Sequence, residues 1–217
     1  MDEAKKRELI QRFQAEQSLK QQFEGTLPQR VNRYLQVKPY PIIANTHFAA
    51  VSAQCFQLFH DGYFYGCIAL TQAVAEALVK FLCQRKRFKP EKKFEANIGK
   101  LAERKFISQQ TKGSFLKIWE SRDDYHHLNP DIENDHRKLE ELAKEKLLLL
   151  SELERDVFQS KIVNGKLIVK NPEYWDITEK GTNVLGKVLK QPPKYERMVA
   201  WHIYRNAQDV KTQRVGL

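Results

Sequence analysis

Residues 47–84 read HFAAVSAQCFQLFHDGYFYGCIALTQAVAEALVKFLCQ, and this stretch decides the fold. Apolar residues recur at helical spacing on both sides of His60-Asp61-Gly62-Tyr63, where the glycine marks a turn. The pattern therefore predicts an antiparallel helical hairpin. Its second arm, residues 65–82, is apolar on several faces and has Glu76 as its only acid. Such a helix is typical of the centre of a helical bundle, so we predict a mainly α protein.

The segment before the hairpin has a looser helical pattern. Apolar residues alternate with charged residues and glutamines over residues 4–24, and Gly25 and Pro28 follow. Because glycine and proline commonly end helices, we predict a docked first helix that stops there. After the hairpin, three further helices are predicted, over residues 94–106, over residues 113–125, and from Pro130 or Asp131 to about Phe158.

The pattern changes after Ser160. An Asn-Gly pair stands between two β-branched runs in residues 161–169, which predicts a short β-hairpin. An isolated hairpin is only marginally stable, so we expect it to pack with the apolar residues Tyr174, Trp175 and Ile177. Lysines and arginines interleaved with aromatic residues make up the rest of the chain. We predict a helical domain over residues 1–158, with its core in 40–158, and a basic α+β appendage over 159–217.

The balance of charge favours a polyanionic partner. The chain has 37 Lys and Arg against 27 Asp and Glu, for a formal charge of +10, and RNA and DNA are the polyanions that such a surface attracts. Three widely spaced cysteines lie in apolar stretches, which predicts buried free thiols in a reducing compartment. The N-terminus lacks the apolar core of a signal peptide, and we expect no membrane span. These features predict a cytoplasmic protein.

A basic connector is the first candidate binding segment. Residues 85–93 carry six bases and one acid around Pro90. Such charge runs are most often solvated loops, but they also supply the residue types that bind phosphates. The candidate RNA-binding residues are Arg85, Lys86, Arg87, Lys89, Lys92 and Lys93.

Residues 122–127 form the segment most suited to chemistry, because they concentrate an arginine, two acids and two histidines at a predicted helix end. Cleavage of RNA by its own 2′-hydroxyl needs a proton acceptor or donor and a cation for the phosphate, roles that histidine and arginine fill. On an ideal helix Arg122 and His127 diverge by about 140°. Either the helix breaks before His127, or a second subunit completes the site.

The spacing of Arg122, four residues and His127 resembles the ribonuclease motif of the HEPN superfamily of small helical-bundle domains. Asp123 is similar to the polar residue that often follows the family arginine, and the hairpin before it extends the resemblance over residues 40–158. The resemblance implies a metal-independent endoribonuclease that works as a homodimer with the motifs at the shared interface and needs no cofactor. It further implies catalytic roles for Arg122, His127 and Asp123, with support from His126, Tyr125 and Glu76. A toxin or phage-defence effector held by a neutralising partner is one expected setting, although Asn129 stands where one toxin branch has tyrosine.

Three other interpretations stay open. The domain can be an inactive HEPN-like module that binds RNA or protein and dimerises. Arg122 can form a surface ion pair with Asp123, Asp124 or Glu120 while the histidines cap the helix. A metal site from His126, His127 and His136 is the third, although adjacent histidines point in different directions.

Overall fold

The fold is mainly helical in the computed structural model, which describes residues 2–40, 43–44, 46–127, 129–130, 132–163 and 166–175. Among these residues, those within 2–39 and 47–153 form one compact unit, and those within 40–46 and 154–175 form a second. The elements are α1 (Glu3–Gln36), α2 (Ala49–Asp61), α3 (Phe64–Arg85), α4 (Phe94–Glu103), α5 (Gln109–Trp119), α6 (Arg122–His127), α7 (His136–Val157), β1 (Ser160–Val163), β2 (Lys166–Val169) and a 3₁₀ turn (Pro172–Tyr174).

The predicted helical hairpin is confirmed as α2 and α3. Gly62 lies between them with φ of 86°, and its N–H donates to the carbonyls of Leu58 and Phe59. A residue without a Cβ adopts this left-handed conformation at no steric cost, so glycine ends α2 and lets the chain reverse. The turn thus sets the two longest apolar runs against each other.

The core of the first unit is built around α3, as expected for the central helix of a bundle. Fully buried side chains come from α2, α3, α4, α5 and α7, and they include Phe59, Ile68, Leu78, Leu82, Ile98, Leu101, Phe115, Ile118, Leu147 and Leu150. By length and composition alone α3 could cross a membrane, which differs from the sequence expectation. However, 61% of its most apolar window is buried inside the fold, which suits a core helix of a soluble protein equally well.

The first helix differs from its prediction in length and in surroundings. It continues through Gly25 and Pro28 to Gln36, and residues 2–29 are all exposed. Because that stretch is solvated, water can satisfy the carbonyl that Pro28 leaves without a donor, so the proline does not end the helix. Contacts with the helical body start at Arg30, whose guanidinium lies 2.5 Å from a carboxylate oxygen of Asp61. The prediction of a docked helix over residues 4–24 is therefore wrong.

Two later helices begin at other residues than predicted. α5 starts at Gln109 because the Ser108 side chain caps it, accepting from the N–H of Thr111 at 3.0 Å. α7 starts at His136 rather than near Pro130, because the Asp135 carboxylate accepts from the first backbone N–H groups of the helix. In both cases a side-chain cap fixes the helix start.

The second unit contains the predicted β-hairpin. β1 and β2 pair antiparallel, with Ser160 opposite Val169 and Val163 opposite Lys166. The ring of Trp175 packs edge-on against Phe158 at 6.0 Å between centroids, as expected for an apolar support. The Asn-Gly turn, Ile177 and the basic aromatic tail lie outside the described residues.

Candidate functional site

A break between α5 and α6 creates the candidate site. The sequence predicts one continuous helix over residues 113–125, whereas α5 ends at Trp119 and α6 begins at Arg122. Ser121 lies between them with φ of 57°, a left-handed conformation that interrupts the helical hydrogen bonds. Arg122 is therefore the first residue of a separate helix, close to the carbonyl end of α5.

Two buried polar side chains hold this break in place. The Lys146 ammonium is 2% exposed and donates to the carbonyls of Lys117, Ile118 and Glu120 at 3.1, 2.8 and 3.0 Å. The Gln72 amide donates to the carbonyls of Ile118 and Glu120, both at 3.1 Å. Burial lowers the pKa of Lys146 to about 8. A cation at a helix C-terminus also interacts favourably with the helix dipole, so Lys146 stabilises the end of α5.

The sequence analysis did not single out Lys146 or Gln72, although both carry a signal. Lys146 occupies a position in the buried stripe of α7, between Ala143 and Leu150, where an apolar residue is expected. Gln72 holds the equivalent place on α3 within the run of buried apolar residues. A polar residue on a core stripe needs a hydrogen-bond partner, and here the partners are the carbonyls of the broken helix.

Arg122 is engaged within its own helix. Its Nη1 lies 2.9 Å from Oδ1 of Asp123, with the two side chains 30% and 79% exposed. Its Cζ lies 5.4 Å from the centre of the Trp119 ring, and its Nε is buried without a hydrogen-bond partner among the described residues. The hydrogen bond from Arg122 lowers the pKa of Asp123, and the nearby His127 and His126 act in the same direction. The ion-pair interpretation thus describes the observed contact of Arg122.

An open cleft lies beside this arginine. Its volume is about 540 Å³, and one wall is Trp119, whose ring stacks on Phe94 at 4.0 Å with an interplanar angle of 20°. The cleft therefore has an aromatic ring and a guanidinium in its lining, two groups of the kind that contact bases and phosphates. The lining residues are Glu95, Leu116, Lys117, Trp119, Glu120, Ser121, Arg122, Asp123 and Asp124.

The two histidines differ in environment. His126 bonds to the backbone of Ala69 on α3 and has Glu76 nearby, and its pKa is lowered by burial and by the positive charge of Arg122. Both histidines are exposed at the surface, and His127 acts electrostatically on Asp123. The helix does not break before His127, so that part of the prediction is wrong. Within one chain Arg122 and His126 share a helix face, about 40° apart, whereas Arg122 and His127 do not.

Tyr125 anchors α6 to the core. It is 4% exposed, its carbonyl accepts from the Tyr65 hydroxyl at 3.0 Å, and the two rings lie 5.4 Å apart. Burial also raises the pKa of Tyr125. Glu76 forms an ion pair with Lys80 at 2.6 Å, one turn along α3. Tyr125 and Glu76 therefore each have a partner within the fold, which is Tyr65 for Tyr125 and Lys80 for Glu76.

The basic connector follows α3 as predicted, and its six cations fall into two groups. Arg85 lies over the Phe81 ring at 5.0 Å and Lys86 over the Phe106 ring at 4.9 Å. The other four are exposed and are Arg87, Lys89, Lys92 and Lys93. Arg87 has φ of 59°, which ends the helical path. The exposed group is the part that can reach phosphates.

The third interpretation for this region was a metal site. The His136 ring packs against Phe64, with centroids 4.8 Å apart. In the part of the chain that the structure describes, no three His, Cys, Asp or Glu side chains are grouped closely enough to hold a metal ion. The described residues therefore contain no arrangement of side chains that supports the metal-site interpretation.

Comparison of the chain with models of protein families, with characterised proteins and with solved structures gives no match. The mainly α fold and the helical bundle rest on the structure itself. The HEPN resemblance stays a prediction based on the residues of the motif and of the hairpin before it.

Proposed function

We propose that this protein is a HEPN-type endoribonuclease, an enzyme that cleaves RNA by attack of the 2′-hydroxyl on the neighbouring phosphate. One observation carries the proposal, namely that a single short helix beside an open cleft holds an arginine and two histidines. Arginine binds two phosphate oxygens at once, and histidine exchanges protons near neutral pH. The net charge of +10 favours RNA as substrate.

The reaction assigns a role to each side chain. Imidazole accepts the proton of the 2′-hydroxyl while the 2′-oxygen forms a bond to phosphorus. The bond from phosphorus to the 5′-oxygen breaks, and the imidazolium returns a proton to that oxygen. Arg122 stabilises the charge that develops on the two nonbridging oxygens. Asp123 orients the guanidinium in the free enzyme and gives way to phosphate when RNA binds. The products are a 2′,3′-cyclic phosphate and a 5′-hydroxyl.

We assign the proton transfer to His127 in a site shared by two copies. Arg122 and His127 diverge by about 140° on α6, so one copy supplies the guanidinium and the other the imidazole. His126 is directed at α3 through Ala69 and serves as a positioning residue. A protein that neutralises the activity and a cytoplasmic location belong to the same proposal, because such an enzyme would otherwise degrade its host's RNA.

Cleavage of labelled RNA by the purified protein tests this function. Positioned acid–base groups contribute about 10²- to 10⁴-fold, so His127→Ala is expected to lose at least about a hundredfold in rate. Arg122→Ala should lose as much. His126→Ala, a change of the same size one residue away, is the matched control and should lose less than about tenfold.

The chemistry of the ends supplies an independent readout. Cleaved RNA should carry a 2′,3′-cyclic phosphate, and a substrate with 2′-deoxyribose at the cut position should stay intact. Unchanged cleavage by His127→Ala, or no cleavage by the wild type after removal of bound proteins, would reject the enzyme.

The second candidate function is a non-cleaving module that binds RNA or protein. It is favoured by the contact between Arg122 and Asp123, because a guanidinium already paired and lying over Trp119 is a stable surface feature without any substrate. In that case the wild type binds RNA without cutting it, and Arg122→Ala changes affinity alone.

A further inference from the structure

The N-terminal helix α1 has an apolar face that nothing in the described chain covers. Nine of its large apolar side chains are between 39% and 66% exposed. They lie within about half of the helix circumference, which makes one continuous stripe. The residues are Leu9, Ile10, Phe13, Leu19, Phe23, Leu27, Val31, Tyr34 and Leu35.

A helix of this kind is unstable by itself. None of the 34 residues of α1 is buried, and the helix contains Gly25 and Pro28 in its interior. Glycine and proline are the two residue types least favourable in a helix interior. Since most helical stability in proteins comes from packing of an apolar face, α1 needs a partner surface.

The size of the stripe fits a specific interface. At about 100 Å² for each half-exposed side chain, the six within residues 9–27 offer roughly 600 Å² on each copy. Two copies would then bury roughly 1,200 Å² in total, which is the lower end of the range for specific interfaces. An interface between two copies of α1 is therefore large enough to be stable.

The order of residues along the stripe identifies the partner. Positions 9, 13, 16, 20, 23 and 27 alternate in steps of four and three, which is the spacing of a coiled-coil seam. The seam is symmetric about Ser18 in both apolar and charged residues. In an antiparallel pair of helices centred there, the facing residues are Leu9 with Leu27, Phe13 with Phe23, and Glu16 with Lys20.

Charge then decides the orientation. In the antiparallel arrangement Glu16 of each copy faces Lys20 of the other, so two ion pairs form at the centre of the seam. In a parallel arrangement in register, Glu16 would face Glu16 and Lys20 would face Lys20. Like charges opposite each other cost several kcal/mol, so the antiparallel register is strongly preferred.

From these observations we propose that α1 is a self-association helix that binds α1 of a second copy in an antiparallel coiled coil centred on Ser18. The proposal does not rest on ribonuclease activity, and its surface contains neither Arg122 nor His127. The polar pair at the centre specifies the register, the role that single polar residues have in coiled-coil seams.

Substitutions that reverse the charge of Glu16 or of Lys20 in the full-length chain test the proposal. Sedimentation should show a wild-type dimer at micromolar concentration. Glu16→Lys places lysine opposite Lys20 at both central pairs, and Lys20→Glu places glutamate opposite Glu16, so each variant should dissociate with a Kd at least about a hundredfold higher. An equimolar mixture of the two variants restores opposite charges and should form a heterodimer with wild-type affinity.

Two controls complete the experiment. Gln22→Lys and Gln22→Glu change the charge on the opposite face of α1 and should leave the dimer intact. Circular dichroism of each variant reports whether α1 remains helical at protein concentrations where the wild type is a dimer.

The proposal fails if the wild type is still a monomer at a concentration of about 100 μM. It also fails if Glu16→Lys dimerises with the affinity of the wild type, which would place the dimer contact elsewhere and leave the proposed function untouched. A monomer that binds anionic vesicles through α1 would identify a membrane surface as the occupant instead. Loss of RNA cleavage with an intact α1 dimer rejects only the enzyme.

Discussion

Arg122 is the side chain on which the proposed reaction depends, and in the free protein it is bound to Asp123. A phosphate must replace that carboxylate before the guanidinium can stabilise a transition state. The exchange is feasible because Asp123 is 79% exposed, so solvent hydrates the carboxylate once it is released. In the proposed function, binding of RNA and loss of this ion pair are therefore coupled events.

The electrostatic coupling between Arg122 and His126 can be measured directly. The pKa of His126 is below its usual value, through burial first and then through the positive charge of Arg122. Removing that charge in Arg122→Gln removes one cause of the lowering, so the His126 pKa should rise. A titration of the imidazole signals by NMR gives the result.

Arg104→Gln, which removes an exposed cation from the end of α4, serves as the control for that titration. It should leave the His126 pKa as in the wild type. An unchanged value in Arg122→Gln would show that the two side chains do not sense each other.

Replacement of Lys146 should lower the free energy of unfolding, because its ammonium group donates to backbone carbonyls at the end of α5. Lys146→Met keeps the length of the side chain but leaves the Lys117 carbonyl without its donor, and it leaves the carbonyls of Ile118 and Glu120 with Gln72 as their remaining donor. Because an unsatisfied buried polar group is costly, the free energy of unfolding should fall by about 1–3 kcal/mol. Urea denaturation provides the measurement.

Lys144→Met is the matched control, since it changes the neighbouring lysine of the same helix and Lys144 is less buried than Lys146. It should change the free energy of unfolding by less than about 0.5 kcal/mol. Equal effects of both variants would mean that the three carbonyl contacts are not a source of stability.

Among the elements, the α2–α3 hairpin was the most predictable from sequence, because Gly62 and the apolar runs around it agree with one another. The true length of α1 was not predictable, because Gly25 and Pro28 end helices in most settings but are tolerated where the backbone is solvated. The break at Ser121 was missed as well, because its cause lies in Lys146 and Gln72, which are distant in sequence.

The same reasoning applies to the candidate site. Residue types were sufficient to select Arg122 and the two histidines, but not their directions. Those depend on where α6 begins and on the packing of Tyr125 against Tyr65, which are properties of the folded chain. Local patterns therefore select candidate residues, and long-range contacts set their geometry.

Two glycines of the hairpin give opposite predictions. Gly62→Ala forces a Cβ into a left-handed conformation and within 2.9 Å of Nη1 of Arg33, so it should lower the free energy of unfolding by about 1–2 kcal/mol. Gly66 lies inside α3, and Gly66→Ala places its Cβ 3.7 Å from a methyl carbon of Leu58 on α2. It should raise the free energy of unfolding by up to about 1 kcal/mol.

Thermal and urea denaturation of the two variants separates these effects, with each glycine serving as the control for the other. A destabilising Gly66→Ala would indicate that α3 has no room beside Leu58. A neutral Gly62→Ala would indicate that the left-handed turn does not limit the hairpin.

At the scale of the whole molecule, the proposed RNA binding should depend on salt because the formal charge is +10. Each phosphate contact lowers the logarithm of the affinity by about 0.7 for a tenfold rise in salt when the RNA is single-stranded. The double variant Lys92→Gln/Lys93→Gln should therefore bind all RNA sequences more weakly and reduce that slope by up to about 1.4. Affinities measured over a series of salt concentrations test this.

Lys5→Gln/Lys6→Gln carries the same loss of net charge on α1 and is the comparison variant. If it reduces the slope as much as the connector variant does, net charge alone drives binding and the basic connector has no special role.

The burial of all three thiols has a practical consequence for following the dynamics of the chain. Cys55, Cys67 and Cys83 are each 0% exposed, and burial raises the pKa of Cys67 to about 12 and of Cys83 to about 11. Since thiolates react and protonated thiols do not, labelling reagents can modify these positions only when the helices around them separate. The rate of thiol labelling in the unmodified protein therefore reports how often α2 and α3 open, and the measurement requires no introduced probe.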